Sequence, residues 1–391
     1  MSLMIRARRP LALVLLAALV LPVAGMTVSR GAMVSTVENR RLAPPVAWPR
    51  TLAGWRTLPR TVDAYLGDHF AFREPLLAAA VKVERALGGR IARRGASAAA
   101  TAAEPPALDL PLAVAGRDGQ LFLTEGLLQS TGREIDPARV ADYAAFVCGA
   151  RDRLARRGVQ VVAAIPPSPG EILQDRVPAW AGPARARTEY DLTLEALRQC
   201  GMAPADLRPA LLGARSAFQL YNRLDSHWTQ RGALIAYNQI VEAMGRRSWS
   251  IDPGKLAWVT VARTAGDLPR MAGLPEASEA VQVFDIKALA PSLREAPLDG
   301  LRGGDPNAAR PFILETAKPG LTVLVIGDSY AARPFFADFF ARSARRVAWL
   351  HLNHCAFDWA AIDRVKPDLV VITPVERYAH CDGARPLGWG S

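Results

Sequence analysis

Short apolar runs define the second half of the chain. Four of them place valine, isoleucine, leucine and alanine at nearly consecutive positions, which is typical of strands buried on both faces. They are residues 159–165, 323–326, 346–350 and 369–373. Three neighbouring segments carry apolar positions at helical spacing. They are residues 141–157, 188–199 and 229–244. Buried strands alternating with helices predict an α/β fold, in which helices cover both faces of a parallel sheet.

A serine follows one of these strands at a sharp turn. A Gly-Asp-Ser-Tyr sequence at residues 327–330 leads into an apolar helical pattern at 331–340, where Pro334 restricts the position of the first turn. Sites in such sheets lie beyond the carboxyl ends of the strands, where free backbone N–H groups can hold an oxyanion. Ser329 is therefore a candidate nucleophile. The alternative is an ordinary Ser/Asp turn that caps a helix.

A second polar cluster supplies a base for this serine. Asp225 and His227 are two residues apart, so in an extended segment their side chains point to the same side. The carboxylate can then hold one imidazole nitrogen and leave the other as a general base. We predict a catalytic triad of Ser329, His227 and Asp225, with Trp228 and Tyr330 next to the oxyanion or the substrate. The alternative is a capping aspartate beside a structural histidine.

The amino-terminal residues predict export. Three arginines among the first nine residues precede an uncharged run at residues 10–28, which is just long enough to span a bilayer. The pattern is typical of a signal anchor, or of a signal peptide cleaved near Gly25. We expect a periplasmic protein anchored to the inner membrane, with no later segment that crosses it.

The composition changes along the chain suggest three parts. Residues 1–30 form the signal anchor or signal peptide. Residues 31–115 combine a proline-rich stalk, a helix over residues 58–87 and an Ala/Pro-rich insertion at residues 95–115. Residues 116–391 form the catalytic domain, which begins with a tight turn that runs into a strand.

The strong positive charge does not predict a nucleic-acid partner. The formal net charge is +11, but 43 of the 48 basic residues are arginines, scattered singly or in pairs without a basic run interleaved with aromatics. We interpret the excess of arginine and alanine as a biased coding composition. The weaker alternative is a surface that tolerates an acidic polysaccharide or anionic lipid head groups. With 50% hydrophobic and 22% charged residues, the chain has an ordinary globular composition.

Four cysteines suit an exported protein. Three pairings are possible, and we expect Cys148 with Cys200 and Cys355 with Cys381, because each pair joins elements that are expected to be neighbours. Four free thiols are the first alternative. A zinc site is the second, although its spacing follows no recognised zinc signature, so no metal is expected. Its candidate ligands are His351, His354, Cys355, His380 and Cys381.

Several motifs together resemble the alginate O-acetyltransferase family of the AlgJ/AlgX type, whose domain is a permuted SGNH-hydrolase fold. They are Asp68-His69-Phe70-Ala71-Phe72-Arg73, Gly116-Arg117-Asp118-Gly119, Pro166-Pro167-Ser168, Asp225-Ser226-His227-Trp228, Gly266-Asp267-Leu268, Gly327-Asp328-Ser329-Tyr330, Lys366-Pro367-Asp368 and Glu376-Arg377. One departure is the absence of a lysine soon after the Pro-Pro turn, where Pro169 and Gly170 follow Ser168.

The resemblance implies Ser329 as nucleophile, His227 as base and Asp225 as the residue that orients the base. It also implies acetyl transfer through an acetyl-serine to hydroxyls of an exported polysaccharide. A membrane-bound O-acyltransferase would supply the acetyl group, and no cofactor is expected.

Two other function classes stay open at this point. An acetyl esterase would use the same triad and differ only in whether water or a sugar hydroxyl takes the acyl group. A non-catalytic polysaccharide assembly protein would keep the fold without the chemistry. The polymer itself is not identified by the sequence.

Overall fold

The computed structural model describes two separate compact units, residues Met1–Ala100 and Thr101–Ser391. The described residues are 34–35, 40–70, 72–73, 75–76, 79, 111–182, 184–264, 266–274, 277–296, 311–352, 355 and 357–381. In the first unit, β1 (Val34–Ser35) and β2 (Arg40–Arg41) pair antiparallel, and α1 (Leu52–Asp68) follows.

Helix α1 starts earlier than the apolar pattern predicts. The pattern places the helix at residues 58–87, whereas Thr51 caps it by accepting a hydrogen bond from the Gly54 N–H at 3.2 Å. At its other end, Asp68 accepts the Ala43 N–H at 2.7 Å, and His69 Nε2 lies 2.8 Å from the Ala43 carbonyl oxygen. The first two residues of the Asp-His-Phe motif therefore fasten the segment that precedes α1.

The second unit contains nine of the described α-helices. They are α2 (Thr124–Ser130), α3 (Pro137–Ala155), α4 (Pro169–Ile172), α5 (Glu189–Gln199), α6 (Arg208–Ala214), α7 (Gln230–Ala243), α8 (Leu268–Met271), α9 (Phe336–Ala341) and α10 (Trp359–Val365). Its strands are β3 (Ala113–Ala115), β4 (Leu121–Leu123), β5 (Gln160–Ala163), β6 (Val259–Thr264), β7 (Ser278–Val283), β8 (Arg294–Ala296), β9 (Phe312–Glu315), β10 (Thr322–Gly327), β11 (Arg346–His351) and β12 (Leu369–Thr373).

Six strands form the central sheet, in the order β5-β12-β10-β11-β9-β8. The first four run parallel, as the apolar runs predict, and β10 lies between β11 and β12. The sheet differs from the expected wholly parallel one because β9 pairs antiparallel with β11, and β8 antiparallel with β9. Strands β8 and β9 are short and each has a charged residue at one end, so they lack the long apolar runs that mark doubly buried strands.

Helices cover both faces of this sheet, and alternate residues of β10 point to opposite sides. Val323 and Val325 pack into one buried cluster with α7 and α9, in which Tyr237 contacts two phenylalanines of α9. Leu324 and Ile326 belong to a second cluster with side chains of α3, α5 and α10. The molecule is thus a mixed α/β protein with a buried central sheet.

Helix starts agree with the capping residues in the sequence. Thr188 and Asp191 form a capping box at the start of α5, and the Thr229 hydroxyl accepts the Gly232 N–H at 3.2 Å at the start of α7. The helix expected at residues 331–340 begins only at Phe336. It starts after Pro334, whose ring restricts the backbone before it.

Both expected disulfides are confirmed. Cys148 of α3 is bonded to Cys200 at the end of α5, and Cys355 to Cys381 across the segment that contains α10 and β12. The zinc alternative needs free thiolates at Cys355 and Cys381, and the disulfide removes them. One of its candidate ligands, His354, lies outside the described residues.

The export signal cannot be placed in this fold, because the apolar run at residues 10–28 falls outside the described residues, as does most of the insertion at 95–115. Among the residues that are described, no helix combines the length and the apolar character needed to cross a bilayer.

The two disulfides should differ in their contribution to stability. Replacing Cys148 and Cys200 by serine should lower the free energy of unfolding by about 4 kcal/mol, because a loop spanning 52 residues regains entropy in the unfolded chain. The span of Cys355 and Cys381 is 26 residues, so the same change there should cost about 0.6 kcal/mol less. Urea unfolding of both double variants and the wild type measures the difference. A larger loss in the second variant would contradict this ranking.

Candidate active site

Ser329 lies at the carboxyl end of β10, on a turn that packs closely against the end of β12. A Cβ on Gly327 would lie 2.5 Å from the Thr373 carbonyl oxygen and 2.9 Å from the Ala331 Cβ, so only glycine fits. The buried Asp328 carboxylate accepts the N–H of Tyr330 at 2.8 Å and that of Val375 at 2.6 Å. The turn is therefore fixed to the end of β12, and Ser329 remains exposed at its tip.

The structure brings the three predicted triad residues together. His227 Nε2 lies 2.7 Å from Ser329 Oγ, and His227 Nδ1 lies 2.7 Å from Asp225 Oδ1. The same Oδ1 accepts the His227 backbone N–H at 2.9 Å. With Nδ1–H donating to Asp225, Nε2 is free to accept the Ser329 hydroxyl proton. This is the geometry that a nucleophile, a base and an orienting carboxylate require.

The Asp225 carboxyl is held in its ionised form. Burial opposes ionisation, but the hydrogen bonds from His227 and the positive charge of Arg263 outweigh burial and lower the pKa of Asp225. Arg263 Nη2 lies 3.3 Å from Asp225 Oδ2, the oxygen that His227 does not use. In its ionised form, Asp225 can accept a hydrogen bond from the Nδ1–H group of His227.

Neighbouring side chains fix the loop that carries Asp225 and His227. The Asp267 carboxylate accepts the backbone N–H of Ser226 at 2.8 Å and its hydroxyl at 2.5 Å. The Asn222 side chain donates to the carbonyl oxygens of His227 and Trp228, each at 3.0 Å. The loop therefore has little freedom to move His227 relative to Ser329.

Gly266 is packed directly against the triad carboxylate. A Cβ built at this position would overlap the Cβ, Cγ and Oδ2 atoms of Asp225. The Gly266-Asp267 motif thus has two tasks, because the glycine leaves room for Asp225 and the aspartate holds Ser226. The sequence marks the motif but gives no sign of its contact with Asp225.

Trp228 and Tyr330 lie behind the triad. Both side chains are fully buried, and Trp228 Nε1 donates to the Tyr330 carbonyl oxygen at 3.2 Å. The Tyr330 hydroxyl donates to the Ser226 carbonyl oxygen, and the Arg377 guanidinium lies 5.1 Å from the centre of the Tyr330 ring. These contacts join the Ser329 turn to the His227 loop. A role for either residue at an oxyanion or a substrate stays a prediction.

A pair of acidic residues lies under the Pro166-Pro167-Ser168 turn. Glu376 Oε2 accepts the Ser168 N–H at 2.8 Å, and burial together with the charge of Glu171 raises the pKa of Glu376 well above its usual value. Burial also raises the pKa of Glu171 to about 7, although a hydrogen bond from Thr188 and the charge of Arg208 oppose the shift. The sequence did not reveal this pair, since its members are far apart in the chain.

The chain is similar to known proteins in its sequence and in its fold. A family model described as the SGNH hydrolase-like domain of acetyltransferase AlgX matches residues 113–351. The probable alginate O-acetylase AlgJ of Pseudomonas putida is 26% identical over 235 residues, which cover 57% of this chain and 56% of that protein. The match thus spans little more than half of that relative's length.

Two solved structures are similar to this chain. Bacillus cereus PatB1 has a TM-score of 0.51 at 15% identity and covers 70% of this chain and 98% of its own. The O-acetyltransferase domain of Pseudomonas putida AlgJ has a TM-score of 0.47 at 23% identity and covers 71% and 96%. The likeness to PatB1 concerns the fold alone.

Adding one carbon atom at Gly266 should disrupt the triad without unfolding the protein. In Gly266→Ala the new Cβ displaces Asp225, and a misplacement of about 1 Å lowers reactivity by about 100-fold. The measurement is the rate at which a fluorophosphonate labels Ser329, followed by mass spectrometry. Gly149→Ala is the matched control, because a Cβ at Gly149 meets no atom within 4 Å. Equal labelling rates in both variants would show that Asp225 tolerates the displacement.

The buried acid pair should make stability fall as the pH rises. The folded state keeps protons on carboxyls that the unfolded chain loses, so the free energy of unfolding decreases as the pH passes from about 4.5 to about 7. In Glu171→Gln this decrease should shrink by on the order of 1–2 kcal/mol. Urea unfolding at several pH values measures it. The control is Glu195→Gln, which removes an exposed carboxylate of α5. Parallel pH curves for wild type and Glu171→Gln would contradict the assignment.

Proposed function

Because the chain belongs to the SGNH hydrolase-like family of acetyltransferase AlgX, we propose that it is a serine-dependent O-acetyltransferase acting on an exported polysaccharide. The family match covers residues 113–351, which include Asp225, His227 and Ser329. The family predicted from the sequence motifs is thereby confirmed. The observation that carries the proposed chemistry is the continuous hydrogen-bonded chain from Asp225 through His227 to Ser329.

The first half-reaction would load an acetyl group onto Ser329. His227 Nε2 takes the hydroxyl proton while Ser329 Oγ attacks the carbonyl carbon of the acetyl donor. His227 then gives that proton to the leaving group as the carbon–oxygen or carbon–sulfur bond of the donor breaks. Asp225 holds Nδ1 throughout and stabilises the transient imidazolium by its charge.

The second half-reaction would pass the acetyl group to a sugar hydroxyl. His227 Nε2 removes the proton of the acceptor hydroxyl, whose oxygen attacks the acetyl-serine carbonyl. The ester bond to Ser329 Oγ then breaks, and the proton returns to the serine. In both halves negative charge develops on the carbonyl oxygen, and the Ser329 N–H, which has no hydrogen-bond partner within the described part of the chain, is available to stabilise it.

The relatives suggest the class of acceptor. The Pseudomonas putida relative is named a probable alginate O-acetylase, so an exported polysaccharide is the acceptor we propose. Acetylation of an exported polymer would occur in the periplasm, next to the inner membrane to which the run at residues 10–28 would anchor the chain. Since cytoplasmic acetyl donors do not reach that compartment, a membrane-bound O-acyltransferase would supply the acetyl group.

An acetyl esterase is the second candidate, and one observation favours it. Ser329 is exposed, and the His227 side chain keeps 23% of its surface accessible. Water can therefore approach the acetyl-serine from the side that an acceptor would use. Hydrolysis and transfer share the first half-reaction and differ only in which oxygen attacks the acetyl-serine.

The three triad residues should behave as one unit in activity measurements. Ser329→Ala and His227→Ala should each lower kcat/KM for acetyl-ester cleavage by about 10⁴-fold or more, Asp225→Asn by somewhat less. The Ser329→Ala/His227→Ala double variant should lose no more than either single variant. A chromogenic acetyl ester and the purified protein, with circular dichroism as a check on folding, suffice for the measurement.

The matched control is Ser216→Ala, which removes an exposed hydroxyl elsewhere in the second unit. Wild-type activity in Ser329→Ala would refute the serine mechanism. A double variant whose loss equals the product of the two single losses would mean that Ser329 and His227 act independently. Adding an oligosaccharide acceptor to the wild type then distinguishes transfer from hydrolysis by the fraction of acetyl groups found on sugar.

A further inference from the structure

A two-stranded ribbon outside the central sheet contacts the loop that carries Asp225 and His227. Strands β6 and β7 pair antiparallel with each other and form a separate sheet. All six side chains of β6 are exposed, so burial of apolar surface contributes little to the position of this strand. Its position therefore depends on its pairing with β7 and on specific polar contacts.

The contacts of the ribbon with the loop that carries Asp225 and His227 come from one cross-strand pair. Arg263 of β6 and Glu279 of β7 are register partners, and both reach the same loop. Glu279 accepts the backbone N–H groups of Arg223 at 2.8 Å and Leu224 at 3.0 Å, just before Asp225. Arg263 Nη2 lies 3.3 Å from Asp225 Oδ2. The ribbon thus holds the backbone and the carboxylate of one short segment at the same time.

The two oxygens of Asp225 have different partners. Oδ1 carries both hydrogen bonds to His227, at 2.7 Å and 2.9 Å. Oδ2 faces Arg263, and the space beside it is limited by Gly266. A carboxylate with one oxygen on His227 is free to rotate about its bond to Cβ unless the other oxygen is also held. Arg263 is the side chain that holds it.

We propose that Arg263 is a positioning residue of the triad, which fixes the Asp225 carboxylate from the side opposite His227. This inference rests on the proposed function, because it assigns to Arg263 a part in the same chemistry. Arg263 acts through Asp225, and the side chain itself is 45% exposed, so its charge is partly screened by water.

The charge of Arg263 also has a definite electrostatic consequence. A positive charge beside Asp225 favours the ionised form of its carboxyl and lowers its pKa, so removal of that charge makes protonation of Asp225 easier. Other charged groups face the same pair from the surrounding elements, and they stay in place when Arg263 is changed. They are Asp267 on Ser226, Asp328 beneath Ser329 and Arg377 on Tyr330.

The test compares Arg263→Gln with Arg263→Lys in the whole protein. NMR follows the carboxyl signal of Asp225 against pH, and kcat and KM for a chromogenic acetyl ester are measured in parallel. In Arg263→Gln the midpoint of the Asp225 titration should rise, because the carboxylate loses a neighbouring positive charge. kcat should fall by roughly 3- to 10-fold with KM unchanged, because substrate contacts are not lost. Arg263→Lys should restore the midpoint.

Arg247→Gln is the control for net charge, since it removes a guanidinium that pairs with Glu242 instead. Its midpoint should match that of the wild type. An unchanged midpoint in Arg263→Gln would overturn the proposal. A raised KM with an unchanged kcat would also overturn it, because it would make Arg263 a substrate contact. Because the NMR titration needs no turnover, an inactive wild-type protein would refute the proposed function while the titration still decides the role of Arg263.

Discussion

The hydrogen bond between His227 and Ser329 is the constraint on which the rest of the site depends. It spans 102 residues of sequence, yet its two heavy atoms lie 2.7 Å apart. The Ser329 turn is fixed by Asp328 to the end of β12, and the His227 loop by Asp267 and Glu279. Hydrogen bonds of Tyr330 and Trp228 connect the Ser329 turn to the His227 loop. Each loop is therefore held in place by the other as well as by its own contacts.

Burial explains why the side chains that connect the two loops have fixed positions. Trp228, Tyr330 and Asp328 are almost completely removed from solvent, where each polar atom must find a partner. The solvent-facing members are Ser329, part of His227 and Arg263. The side chains of the candidate triad that face solvent thus lie on a rigid, buried base, where the acceptor polymer that we propose could reach them without a deep cleft.

The sequence predicted the elements whose signals are local. Runs of apolar, often β-branched residues predicted β10, β11 and β12, and Thr229 predicted the start of α7. The two-residue spacing of Asp225 and His227 predicted that their side chains point to the same side of the loop. The antiparallel strands β8 and β9 were not predicted, because they have only three and four residues and show no long apolar run. Arg263 and the Glu171–Glu376 pair escaped for another reason. Their roles depend on which distant side chain lies opposite, and periodicity carries no information about that.

The strand order has a consequence for how the molecule comes to be folded. β12 is inserted between β5 and β10, so two strands made earlier have no partner across that gap until residues 369–373 are available. The His227 loop and the Ser329 turn are both synthesised within that interval. Until β12 arrives, Asp328 lacks the Val375 N–H, and the edges of β5 and β10 are open to other chains. Such non-local pairing is slow to form, so the central sheet would be completed only after nearly the whole second unit had been synthesised.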